Sequence, residues 1–269
     1  MASIEQNKTW WNESEWSEAG NEWSSGYGTP EMQWYASILP RIYRYLPAAT
    51  ILEIAPGFGR WTQFLKSACR ELVLVDLSQK CIDACKERFR EEKHIQFHVN
   101  DGRSLAMVAD NSIDFAFSFD SLVHVEKDVI GAYLEQLARK LTPNGVFFIH
   151  HSNIGEFEKY FELLDSLPRG RGLLSRLKLV ESGDHKRARS MTADIFASLA
   201  TSAGLKVVTQ ELVNWRTRRA IDCMSVLTRP NGTWDRDYRR WVNENFGHEA
   251  HYIGQLAALY DRPGPPASP

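Results

Sequence analysis

Between residues 49 and 151, short and almost wholly apolar runs alternate with helical stretches, and few folds accommodate that rhythm. TILEIA (50–55), ELVLVDL (71–77), IQFHV (95–99), IDFAFSF (113–119) and VFFIHH (146–151) read as strands. RWTQFLKSAC (60–69), SQKCIDACKERFREE (78–92) and KDVIGAYLEQLARKL (127–141) read as helices, and TPNG (142–145) as a turn. Strands that are nearly continuous in apolar residues are buried on both faces, which requires a parallel sheet covered on each side. Farther on, TADIFASLATSAGL (192–205) is a helix with Thr192 as N-cap, Asp194 in its first turn and Gly204 as its stop. KVVTQELVNW (206–215) and AIDCMSVLTR (220–229) follow with only a short connection, which predicts an antiparallel pair at the sheet edge. The expected fold is α/β: a doubly wound, mostly parallel, seven-stranded sheet with an antiparallel last strand.

A chain of 269 residues can bury a sizeable core as one domain with appendages. Residues 49–229 are expected to form that domain, with 1–48 as an aromatic N-terminal cap. Residues 152–191 would be an acceptor or lid insertion, and 230–269 a helical extension ending in a disordered tail, DRPGPPASP. The cap holds five of the nine tryptophans (Trp10, Trp11, Trp16, Trp23, Trp34), too aromatic for a floppy tail. The insertion is cationic, with Arg and Lys recurring from Arg169 to Arg189.

With 32 Lys+Arg against 34 Asp+Glu, the net charge of -2 gives no general drive toward nucleic acid or an anionic membrane. No apolar run approaches the roughly 18 residues needed to span a bilayer. The opening MASIEQNKTWWNESEW has neither the basic nor the apolar part of a signal peptide, so a cytoplasmic location is the expectation. Cys69, Cys81, Cys85 and Cys223 show no C-x-x-C pair or zinc spacing and read as reduced, mostly buried thiols.

LEIAPGFGR joins the first strand to its helix through Gly57 and Gly59, where missing side chains let the backbone approach a ligand near a helix N-terminus. Asp76 ends the second strand 17 residues past Gly59, where a carboxylate can accept both hydroxyls of a ribose. Asp101 follows the third strand in VNDG, within reach of an adenine amino group or of neighbouring amides. Glu53 sits inside an apolar strand, a costly place for a charge without a partner. Together, E-x-A-x-G-x-G, Asp76, NDG and FSFDSLVHV resemble a class I S-adenosylmethionine-dependent methyltransferase over roughly residues 49–229. The resemblance implies S-adenosyl-L-methionine as cofactor, with Glu53, Ala55, Gly57 and Gly59 at its methionine end, Asp76 at its ribose and Leu77 among the binding residues. It implies Asp101 and Gly102 at the adenine, with Phe119 as a further contact. Ala55 stands where the family usually has its first glycine. A dehydrogenase loop would read G-x-G-x-x-G, and Thr62 occupies its third glycine position.

A sulfonium methyl is already activated, so holding donor and acceptor in line is the main task, worth about 7–11 kcal/mol. A hydroxyl acceptor additionally benefits from a base or a metal. Ligands bind outside the carboxyl ends of the strands, where Asp120, His124, His150, His151 and Asn153 gather. Successive strand side chains point to opposite faces, so His150 and His151 cannot both address one point. We expect His151 first, then His150 or His124, as general base, since imidazole titrates near pH ~6.5. The competing expectation is a divalent metal on Asp120, His151 and Asn153, because metal-dependent O-methyltransferases carry an aspartate after the fourth strand and an Asp-Asn pair after the fifth.

EWSSGYG, HHSN and the arginine-rich approach to SMTADIF are similar to bacterial O-methyltransferases acting on sugars, including mycobacterial mannoside polysaccharides. That resemblance implies a sugar or oligosaccharide acceptor, with the cations suiting an anionic one. The alternatives are a small-molecule N- or O-methyltransferase and a non-catalytic cofactor-binding scaffold. The C-terminal extension could form a homodimer contact.

Overall fold

The computed structural model describes residues 3–166, 186–215 and 218–261. All the expected strands form: β1 (Ala48–Ile54), β2 (Cys69–Asp76), β3 (Ile95–Val99), β4 (Ile113–Ser118), β5 (Leu141–Ser152), β6 (Lys206–Val213) and β7 (Asp222–Thr228). The sheet has eight strands, not seven, in the order β3-β2-β1-β4-β5-β7-β6-β8. The extra strand β8 (Arg239–Asn243) pairs parallel to β6, within a segment that sequence reading took as helical. Four of its five residues are exposed, so it lacks the apolar run that marks the other strands. Strands β1 to β5 run parallel, and β7 is antiparallel to both neighbours, as expected.

Helices α1 (Ile4–Glu13), α2 (Pro30–Gln33) and α3 (Leu39–Ile42) precede the sheet, with a 3-10 turn at Asn21–Tyr27. Within and after it come α4 (Thr62–Leu65), α5 (Gln79–Arg88), α6 (Lys127–Lys140), α7 (Glu158–Asp165), α8 (Ala193–Ser202) and α9 (Phe246–Tyr260). α9 packs on the Asn21–Tyr27 turn, tying the two terminal extensions together. None of the described helices is long and apolar enough to cross a membrane. Residues 167–185, with most of the cationic insertion, and the expected tail from 262 onward lie outside the described residues.

Apolar side chains alternate between two layers along each central strand. In β5, Val146 and Phe148 join one core with Phe115, Phe117 and Trp34. Phe147 and Ile149 join the other, with Phe196 and Leu134. TPNG is not a free turn before β5. It bulges out within the strand, between the Ile113–Leu141 and Phe115–Val146 pairs. Gly145 permits this, since a Cβ there would lie 2.6 Å from the Ile113 carbonyl. Strand alternation then carries on to the histidines and decides their roles.

Candidate active site

The loop after β1 turns through Ala55 (φ 59°), Gly57 (φ 58°) and Gly59 (φ 83°), all in the left-handed region. For Ala55 this conformation is costly, because its Cβ crowds the following carbonyl. A Cβ at Gly57 would lie 2.8 Å from the Trp16 ring, and one at Gly59 would lie 2.4 Å from the Phe89 ring. Gly57 N–H donates to Asp76 Oδ2 at 3.1 Å, and Ser78 N–H donates to Oδ1 at 2.8 Å. Burial pushes the Asp76 carboxyl up to about 6 despite these amides. Beneath the loop, the Thr62 hydroxyl donates to Glu53 Oε2 at 2.6 Å, and burial pushes Glu53 up to about 8. Glu53 thus braces β1 against α4.

A cavity opens over this loop and the ends of β2 and β4. Of the residues expected at the cofactor, Ala55, Gly57, Asp76, Leu77, Gly102 and Phe119 line it. Glu53 and Gly59 lie behind the wall. The Asp101 carboxylate accepts from the Arg103 and Ser104 amides (2.9 and 2.7 Å) and is exposed, so it turns into its own loop rather than into the cavity. Sequence reasoning missed Asn7, Arg60 and Tyr133, and anticipated the cap only in general terms. Trp11, Trp16 and Trp23 form a roof, with Trp16 stacked on Phe58 at 4.3 Å. The tryptophan density of residues 10–23 signalled the roof, whereas nothing in the sequence signalled Asn7.

A second cavity adjoins the first and shares Trp11, Trp23 and Asp120 with it. Its other walls include Trp10, Trp215, Glu15, Glu22, His124 and Arg187. Asp120 stands between the cavities on a left-handed backbone (φ 61°). Arg60 Nη2 donates to its Oδ2 at 2.8 Å, and Arg187 Nη2 lies 3.9 Å from Oδ1. Burial alone would raise this carboxyl, but the two guanidinium groups hold it below the usual carboxylate range.

The three histidines separate cleanly. His150 lies on the Phe148 face behind Asp120, whose N–H donates to Nδ1 at 3.3 Å. Nε2 is 3.3 Å from Asp222 Oδ2, which also receives a bidentate Arg187 pair at 2.8–3.0 Å. Asp222 is held well below the usual range, as Arg187 and His150 outweigh its burial. His150 itself is fully buried and lines neither cavity.

His151 does not occupy the position expected of the base. It faces the opposite core, stacked on Phe196 at 4.1 Å. Its Nδ1 lies 2.9 Å from the Ser152 carbonyl and its Nε2 lies 2.8 Å from Ser225 Oγ. Burial pushes it down to about 3, and it has no exposed surface. A buried core imidazole with both nitrogens engaged cannot collect a proton at the mouth.

His124 does reach the second cavity. Its Nδ1 donates to the Lys186 carbonyl at 2.9 Å, and its ring packs against Trp10 and Trp11. Burial and the neighbouring Arg187 push it down to about 4, so it is neutral at pH 7 with Nε2 as its basic atom.

The expected metal ligands do not converge. Asn153 Oδ1 accepts from the Ala193 amide and Nδ2 donates to the Ala220 carbonyl (2.7 and 2.8 Å). His151 is on the far face, and two arginines stand where a cation would approach Asp120. Among the described residues, no group of three or more His, Cys, Asp or Glu is placed to hold an ion.

Residues 51–145 match the family model described as Methyltransferase domain. A curated relative, magnesium-protoporphyrin O-methyltransferase of Rhodobacter capsulatus, is 28% identical over 116 residues. That match covers 42% of this chain and only 50% of the relative. Among solved structures, a Pyrococcus horikoshii protein superposes with a TM-score of 0.53 at 21% identity, covering 76% of this chain and 93% of that one. The CcbJ methyltransferase of Streptomyces caelestis gives 0.53 at 15% identity, covering 80% and 100%. The putative methyltransferase bound to the Trm112 activator in Haloferax volcanii gives 0.54 at 16%, covering 84% and 98%. These structural likenesses establish the fold. The family match, over the glycine loop, Asp76 and the end of β4, marks residues 51–145 as a methyltransferase domain of the S-adenosylmethionine-dependent class. S-adenosyl-L-methionine is the cofactor of that class.

Proposed function

We propose that this protein transfers a methyl group to a hydroxyl of a sugar-like, polyhydroxylated acceptor bound in the second cavity, with His124 as general base. The observation that carries the reading is the shared wall: Trp11, Trp23 and Asp120 border both cavities, so a donor in one and an acceptor in the other would meet there. The residues suit the cofactor. The Asp76 carboxylate would accept ribose hydroxyls, the apolar Leu77, Leu122 and Val125 would cover the base, and Arg60 presents a cation to a carboxylate. When bound, the cofactor supplies a methyl group on a positively charged sulfur.

Tryptophan faces suit the apolar faces of sugar rings, and Glu15, Glu22, Ser14 and Ser25 offer partners for hydroxyls. His124 holds the proton-accepting Nε2 in that cavity because its Nδ1–H is fixed on the Lys186 carbonyl. A base this weak serves late in the reaction, when the acceptor oxygen has become strongly acidic. Arg187 is bound to Asp222 on one side and faces Asp120 on the other, which favours a neutral acceptor over an anionic one.

The test is methyl transfer from labelled cofactor to mono- and oligosaccharides, phenols, amines and a porphyrin carboxylate, the last suggested by the Rhodobacter relative. Sugars are expected to be methylated, with turnover insensitive to EDTA. His124→Gln is expected to lower kcat by about 10²–10⁴-fold while leaving affinity for the demethylated cofactor unchanged. Full turnover in His124→Gln would remove the base, and a preference for amines or porphyrin would remove the sugar.

A further inference from the structure

Asn7 lies on α1, well away in sequence from the loops that form the cofactor cavity, yet it lines that cavity. It is only 6% exposed. Its Nδ2 donates to the His124 carbonyl at 3.4 Å, whereas its Oδ1 is buried with no partner among the described residues. A buried carbonyl oxygen without a donor carries its full desolvation penalty, so a ligand N–H placed there gains more than an ordinary exchange with water.

Its surroundings identify the donor. One turn earlier on the same helix, Ile4 Cγ2 lies 2.9 Å from where a Cβ of Gly102 would be, so α1 covers the loop after β3. Asn7 itself is tethered to the loop after β4. The glycine loop is covered by a different part of the cap, Trp16. Asn7 therefore serves the end of the cavity bounded by the loops after β3 and β4, away from the sulfonium end. At that end Asp101 has turned away to the Arg103 and Ser104 amides.

We infer that Asn7 is a specificity residue for the nucleobase: its Oδ1 accepts the exocyclic amino group of the adenine. This rests on the cofactor reading above. The same helix carries Trp10 and Trp11 into the second cavity, so base recognition and one acceptor wall belong to a single element.

The experiment is calorimetric titration of the full chain with S-adenosylhomocysteine and with its S-inosyl analogue, whose 6-oxo group accepts where the amine donates. The wild-type protein is expected to bind the adenosyl compound about tenfold more tightly, and Asn7→Ala to lose most of that preference. Asn7→Leu, close in size but without an acceptor oxygen, is expected to lose the same preference. Equal binding of both compounds by the wild type, or an unchanged preference in a folded Asn7→Ala, overturns the inference. Failure of the wild type to bind either compound overturns instead the cofactor reading on which it rests.

Discussion

Glu53 is a carboxyl group set into a parallel strand at 1% exposure, with one hydroxyl as its hydrogen-bond donor. Its folded pKa of about 8 stands above the unfolded value of 4.5, so the folded state keeps a proton that the unfolded chain gives up between those values. Its contribution to stability is complete below pH 4.5 and disappears as pH rises through 8. Glu53→Gln, measured by urea unfolding across pH 4.5–8, should flatten this decline and raise stability most at the alkaline end. An unchanged slope would mean that the carboxyl is ionised in the fold. At this scale the sequence was partly legible. Strand alternation correctly separated His150 from His151, but which one faced Asp120 depended on the packing of Phe196 and Trp215. The orientation of Asp101 depended on local amides that any short loop can offer.

Helix α1 shows how an element gains its place from a neighbour. Ser78 caps α5 by accepting from Cys81 N–H at 3.2 Å, and its hydroxyl donates to Asn12 Oδ1 at 2.7 Å. Lys80 then donates to the Asn12 and Ser14 carbonyls at the end of α1. Ser78→Ala should cost about 1 kcal/mol of global stability through the lost cap. Loosening α1, it should also weaken binding of S-adenosylhomocysteine. Measuring both in one variant separates the roles, since a purely local cap would leave binding intact in the folded fraction. The inner strands β1, β2, β4 and β5 were legible because each has an apolar run buried on both faces. β8 was not, because a short exposed edge strand has little sequence pattern to display.

Across the whole molecule, the four thiols are free. Burial raises all of them, Cys69 to about 11 and Cys223 to about 12, so little thiolate exists near neutrality. The expected result is slow labelling by an aromatic disulfide reagent at pH 8 until the protein unfolds, and a melting temperature unchanged by reductant. Fast labelling of the native protein would contradict the packing.

Taken alone, the sequence determined the doubly wound sheet, the glycine loop and Asp76, because period, β-rich runs and chain connectivity are local properties. Only the tertiary structure decided that the tryptophan cap roofs the first cavity, that Asp120 is shared by two cavities, and that His124 rather than His151 reaches the second. Those outcomes depend on which side chains from distant segments compete for the same space and the same hydrogen bonds, and no local pattern encodes that competition.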